Sequence, residues 1–199
     1  MNSSLPRTSG PDEVELLIAG LGAQGDGTAL SERGKVFVPF TLPGDRVRAR
    51  LDAKGREGIS ATLLEILTPA PGRVTPQCQH FGVCGGCDLQ HWRPGEVSAW
   101  KRAQLAATLQ QRGLEVAVEP VVATPAGERR RARLSIRRDG DIVEVGFRAR
   151  ASHTLVDVVV CPLLDPALEA LIAPLRKVAG EVLQRREEVA VEVALTPTG

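Results

Sequence analysis

The sequence predicts a mixed α/β chain of the α+β type, a small closed β-barrel followed by a separate sheet with helices. Three observations carry this. Short runs of alternating apolar and polar residues, cut by Gly-rich or Pro-Gly turns, fill residues 12–68; an aperiodic Pro/Gly/Cys stretch covers 69–95; helix-period and strand-period segments alternate from 96 to 199. The expected organisation is therefore a flexible tail at 1–11, an OB-like barrel at 12–68, a cysteine loop at 69–95 and an α+β domain at 96–199. The chain is long enough for two small hydrophobic cores.

Within the first segment the strand candidates are Val14-Leu16-Ile18, Val36-Val38, Val47-Ala49-Leu51 interleaved with Arg46, Arg48 and Arg50, and Ile59-Ala61-Leu63. Closely spaced strands with such turns close into small barrels. A helix is expected over Glu96–Arg112, with Leu105 and Leu109 one turn apart and Gly113 as its stop. A hairpin follows, ARLSIR and IVEVGF around Asp139-Gly140, then the strand TLVDVVV. Asp165-Pro166 opens a second helix with Leu168, Leu171, Ile172 and Leu175 on one face and a kink at Pro174. VAVEVAL is the last strand, and the chain stops soon after it, so the α+β domain is expected to be incomplete.

Composition excludes several classes of function. With 43% hydrophobic and 25% charged residues, the 199-residue chain is neither collagen-like nor disordered. No apolar run is long enough to span a bilayer, and MNSSLPRTSG lacks the apolar core of a secretory signal, so a cytoplasmic protein with no membrane partner is expected. The net charge is only +1, yet residues 129–150 hold eight basic and three acidic groups. All but four of the 25 basic residues are Arg, whose planar fork suits phosphate recognition.

Gly20-Leu21-Gly22-Ala23-Gln24-Gly25 matches a dinucleotide-binding fingerprint, but no helix follows it to present amides to a pyrophosphate. A glycine-rich hairpin connection is the better reading. The cysteines carry more information. Cys78, Cys84 and Cys87 form C-x5-C-x2-C in a loop with Gly82, Gly85 and Gly86, and Cys161 precedes a proline 74 positions later. Three thiolates on a flexible loop and one from a distant element suit a [4Fe-4S] cluster or zinc. His80 and His91 flank the loop and are further zinc-ligand candidates; surface or capping roles suit them better. His153 has no visible partner.

Arg129-Arg130-Arg131, Arg133, Arg137 and Arg138 surround a predicted strand. If Ala132, Leu134 and Ile136 face a core, Arg131, Arg133 and Arg137 face away in a row suited to RNA phosphates, or simply to solvent. No tyrosine and few other aromatics leave little for base stacking.

HFGVCGGCDLQHW, RRRARLSIRR and VGFRARASHTLVDVVVCPLL resemble the bacterial RNA (uracil-5-)-methyltransferases, most closely the iron–sulfur members that modify 23S rRNA. GLGAQGDGTA and GKVFVPFTLPGDRV resemble their N-terminal TRAM domain, an OB-like RNA-binding module. The resemblance covers about residues 12–199. It implies a [4Fe-4S] cluster on Cys78, Cys84, Cys87 and Cys161, and an RNA-facing surface at Arg129, Arg130, Arg131, Arg133 and Arg137. It also implies a chain without the Rossmann-like domain in which family members bind S-adenosylmethionine and hold a catalytic cysteine. Since all four cysteines match cluster ligands, the expectation is the N-terminal half of such an enzyme. It would be a monomer that binds RNA, 23S rRNA ahead of tRNA, without methylating alone. The alternative is a stand-alone RNA-binding module with a structural or redox-sensing metal site.

Overall fold

Alternation over Arg46–Lys54 (β5) sends Val47, Ala49 and Leu51 inward and Arg46, Arg48 and Arg50 outward, and the rest of the first core is built on that strand. In this computed structural model, which describes residues 12–196, β5 is flanked by Glu13–Leu17 (β1) and Ile59–Thr68 (β6). Gly34–Val38 (β4), Gly27–Ser31 (β3) and Gly20–Leu21 (β2) complete a six-stranded sheet in the order β1-β5-β6-β4-β3-β2. Every pairing is antiparallel except β4 with β6.

The two ends of that order belong to one stretch of chain. The N–H of Ile18 bonds to Asp45 O at 2.9 Å and that of Ala19 to Thr28 O at 2.8 Å, so β1 hands over to β2 and the sheet closes on itself. Val36, Val38 and Val47 are fully buried inside it. The glycine-rich stretch is a hairpin, with Gly22 donating to Asp26 O, and β3 is a strand that the sequence reading left inside the connection. The expected tail at 1–11 lies outside the described residues.

The chain divides into two units: one runs to Thr75 and resumes over His91–Glu119, and the other comprises Pro76–Gln90 and the chain from Pro120 onward. The expected 69–95 loop is thus shared between them, and Pro94–Gln111 (α1), placed above within 96–199, falls in the first unit. Proline at the first helical position starts α1, and Gly113 at φ +74° stops it. No residue of α1 is buried.

The first unit is locked by Asp45, which has no exposed surface. Its carboxylate accepts the N–H groups of Leu42 and Ala70, both at 2.7 Å, and Arg73 Nη2 at 2.5 Å. Burial pushes this carboxyl up, but Arg73 and the two backbone donors outweigh it and hold the pKa below the usual range.

In the second unit Arg131–Asp139 (β7), Ile142–Arg148 (β8), Leu155–Asp157 (β9) and Glu188–Ala194 (β10) form an antiparallel sheet in the order β10-β7-β8-β9. Ala132, Leu134, Ile136 and Val145 face a core completed by Leu164, Leu168, Ile172 and Ala179. The expected strand TLVDVVV is cut to three residues. The Asp157 carboxylate takes the N–H of Val145 at 2.8 Å, Val158 turns inward, and Val159 and Val160 are exposed. The expected second helix is two: Pro166–Glu169 (α2) and Ile172–Val182 (α3). Pro174 does not kink a continuous helix. It sits in the first turn of α3, where a missing N–H costs nothing, and the break precedes it.

Candidate cysteine centre and arginine-bearing sheet face

Residues 76–90 are a loop whose shape is set by backbone bonds to β8 and the turn after it. Cys84 N–H bonds to His80 O at 2.9 Å, Gly85 N–H to Arg148 O at 2.8 Å, and Arg150 N–H to Val83 O at 3.3 Å. Gly85 is required: a Cβ there would stand 2.8 Å from Arg148 O and 3.1 Å from Arg150 Cα. An ion pair between Arg150 and Asp88 at 3.0 Å fixes the loop's far side. Cys161 is held from the other direction, its N–H donating to Glu169 Oε2 at 3.0 Å and its carbonyl accepting from Leu164.

These anchors bring all four predicted cysteines into one pocket. Cys78, Cys84, Cys87 and Cys161 line it together with His80, Phe81, Gly86, Gln90, Arg129, Phe147, Val158 and Val160. All four are free thiols, Cys84 the most buried. Burial pushes the Cys84 thiol up, opposed by the Gly86 amide, which donates to its Sγ at 3.4 Å, and by Arg129. Burial also pushes the Cys87 thiol up, opposed by Gln90. Each of these two thiols feels the other three cysteines or two of them as neighbouring charges, which disfavours ionising them together without a cation.

Among the described residues no group of three or more His, Cys, Asp or Glu side chains converges as a site for a single metal ion. His91 is not at the pocket. It is 1% exposed in the first unit, edge-on to Phe40 with ring centroids 6.5 Å apart, and burial lowers its pKa to about 4. His153 is exposed, and its carbonyl accepts from Arg148.

The predicted arginine row exists, but its charges are largely spent within the sheet. Arg131, Arg133 and Arg137 alternate with buried Ala132, Leu134 and Ile136. Arg131 pairs with Glu192 on β10, and Arg137 with Glu144 on β8 at 2.6 Å. Arg148 of the same sheet pairs with Glu188. Arg130 and Arg133 are exposed and make no ion pair among the described residues. Arg133 borders an open groove of about 470 Å³ with Ser135, Phe147, Arg148, Glu188, Val189 and Ala190. Arg129, placed with this row on sequence, instead lines the cysteine pocket. Its backbone bonds to Leu163 and Asp165 turn it there. Gln90 escaped the sequence reading, although its place at the end of CGGCDLQ was a usable signal.

Residues 12–54 match the model of the TRAM domain. An uncharacterized RNA methyltransferase of Caulobacter vibrioides is 42% identical over 189 residues, covering 93% of this chain and 44% of that protein. A 23S rRNA (uracil(1939)-C(5))-methyltransferase of Halomonas elongata is 42% identical over 180 residues, covering 88% of this chain and 37% of that protein. Among solved structures, the tRNA (uracil-54, C5)-methyltransferase of Pyrococcus abyssi, in complex with S-adenosyl-L-homocysteine, is similar with a TM-score of 0.60 and 27% identity, covering 84% of this chain and 37% of that one. The chain spans less than half the length of these relatives. With a TRAM domain at its start and this similarity along most of its length, the chain is similar to a portion, less than half, of these RNA methyltransferases.

Proposed function

We propose that the chain is the RNA-recognition and iron–sulfur portion of an enzyme that transfers a methyl group from S-adenosylmethionine to C5 of a uridine, with 23S rRNA as the substrate. The observation that carries this is the single pocket in which three cysteines of one loop and Cys161, 74 positions further on, lie together in a chain similar to these methyltransferases. The donor set fits a [4Fe-4S] cluster on Cys78, Cys84, Cys87 and Cys161. The site also offers features an anionic cluster favours: the Gly86 amide on Cys84, the Arg129 guanidinium, and a buried Gln90 Nε2 without a hydrogen-bond partner.

Bound there, the cluster would supply a covalent tie between the 76–90 loop and the Cys161 turn. The chain's own residues would do the rest. Arg130 and Arg133 would meet RNA phosphates with unspent charge, while the Arg131–Glu192 and Arg137–Glu144 pairs stiffen the sheet beneath them. With all four thiols committed to the metal, the nucleophile and the methyl-donor site would lie in the part of the relatives' length that these residues do not span. The protein purified without oxygen should be brown, carry about four iron and four sulfide per chain, and lose both on Cys161→Ser. A colourless protein with one tightly held zinc would overturn the cluster, and failure to bind a uridine-containing rRNA fragment would overturn the RNA role.

A further inference from the structure

Gln90 ends the cysteine loop, and its carboxamide is half used. Oε1 accepts the backbone N–H of Cys78 at 3.2 Å. That bond fixes which end of the amide is which, and leaves Nε2 buried with no hydrogen-bond partner in the pocket lined by the four sulfurs. A buried amide donor without an acceptor is destabilising, and each one in a native protein calls for an explanation. Here the neighbour is Cys87. A neutral thiol sulfur is a poor acceptor, whereas a metal-bound thiolate is a charged and good one.

We propose that Gln90 is a positioning residue of the metal centre: Oε1 holds the Cys78 backbone while Nε2–H donates to the Cys87 sulfur once that sulfur is a metal-bound thiolate. One side chain then sets two of the three loop ligands at once, and its second bond, a weak contact to a neutral thiol, becomes a good one when that sulfur is a metal-bound thiolate. The lowering influence of Gln90 on the Cys87 thiol is in the same direction. The inference rests on the four-cysteine metal centre proposed above. Binding breaks the S–H bonds of the ligand cysteines, forms metal–sulfur bonds in their place and releases the thiol protons to solvent; no covalent bond of Gln90 changes.

Gln90→Glu separates the two roles, because it keeps an oxygen for Cys78 N–H and replaces the donor with an anionic oxygen facing Cys87. Gln90→Leu removes both bonds and guards against a misfolded Glu variant. Parent and variants are loaded anaerobically with equal parts of ferrous and ferric iron and with sulfide, then exposed to an iron chelator while iron release is followed by absorbance. The circular dichroism of the metal-free proteins is recorded alongside. Expected is release on the order of 10- to 100-fold faster from both variants, as for lost outer-shell partners elsewhere, with metal-free spectra like the parent's. Release at the parent's rate from a folded variant would overturn the role of Gln90 while leaving the centre standing. A parent that loads no iron would remove the cluster instead. If it binds only zinc, the same comparison of release rates with zinc decides on Gln90.

Discussion

Acidification should weaken the first unit through one side chain, His91. Its ring is 1% exposed, and burial, followed by the Arg73 cation, lowers its pKa to about 4 against the opposing pulls of Asp45 and a bond with the Thr41 backbone. In an unfolded chain the same ring titrates near 6.5. A pKa depressed by folding gives stability that is present above the unfolded value and lost as pH falls towards the folded one. The drop from 6.5 to about 4, at about 1.36 kcal/mol per pH unit, caps the loss at about 3 kcal/mol. At pH 5 the unfolded ring is almost wholly protonated and the folded one about a tenth protonated, which gives about 2 kcal/mol. That is a large share of the roughly 5–15 kcal/mol that holds a domain together. Urea unfolding is followed by tryptophan fluorescence, since Trp92 is buried in the same unit. The parent is compared at pH 7 and pH 5 with His91→Gln, which is polar but does not titrate. The parent should lose about 2 kcal/mol more than the variant between the two conditions. Equal losses would refute the reasoning.

Two further outcomes follow from the charges. Asp45→Ala removes the acceptor of two backbone N–H groups and strands Arg73, whose side chain is 18% exposed, so it should cost about 3–5 kcal/mol in the same urea assay; a cost under about 1 kcal/mol would mean water replaces the carboxylate. On the sheet face, Arg133→Ala should reduce the slope of log affinity for an rRNA fragment against log salt by about one, and Arg131→Ala, already paired with Glu192, by less. Equal effects would show that the pairing does not decide which arginine meets phosphate.

What was legible in the sequence is what local pattern controls. Alternation of Val47, Ala49 and Leu51 with three arginines orients β5 without help from any partner, because side chains on a strand change face at every residue. The grouping of the cysteines was legible for a similar reason: a glycine-bearing loop gives three thiols no packing purpose, so a shared site with Cys161 was expected, and the four line one pocket. The helix from Pro94 and its glycine stop were likewise local signals. β3 was not legible. Gly27–Ser31 has little β-branched or aromatic character, and it is a strand because Val38 and Val36 supply its partners. The truncation of TLVDVVV has the same kind of cause, a side-chain acceptor at Asp157 for a backbone donor on β8.

The arginines show where such reading stops. Alternation gives the face of Arg131, Arg133 and Arg137, but which of them is neutralised depends on register. Glu192 stands opposite Arg133 in the β10–β7 ladder, yet its carboxylate is taken by Arg131, one step along the same face. That choice joins residues 61 positions apart and leaves Arg133 as the unspent charge beside the groove. Arg129 lies two residues before β7, where alternation has no hold, and the Leu163–Asp165 turn decides its direction instead. A run of three arginines that reads as one patch is thus split by two long-range contacts. Arg129 lines the cysteine pocket, Arg131 enters an ion pair, and Arg130 between them makes no ion pair among the described residues.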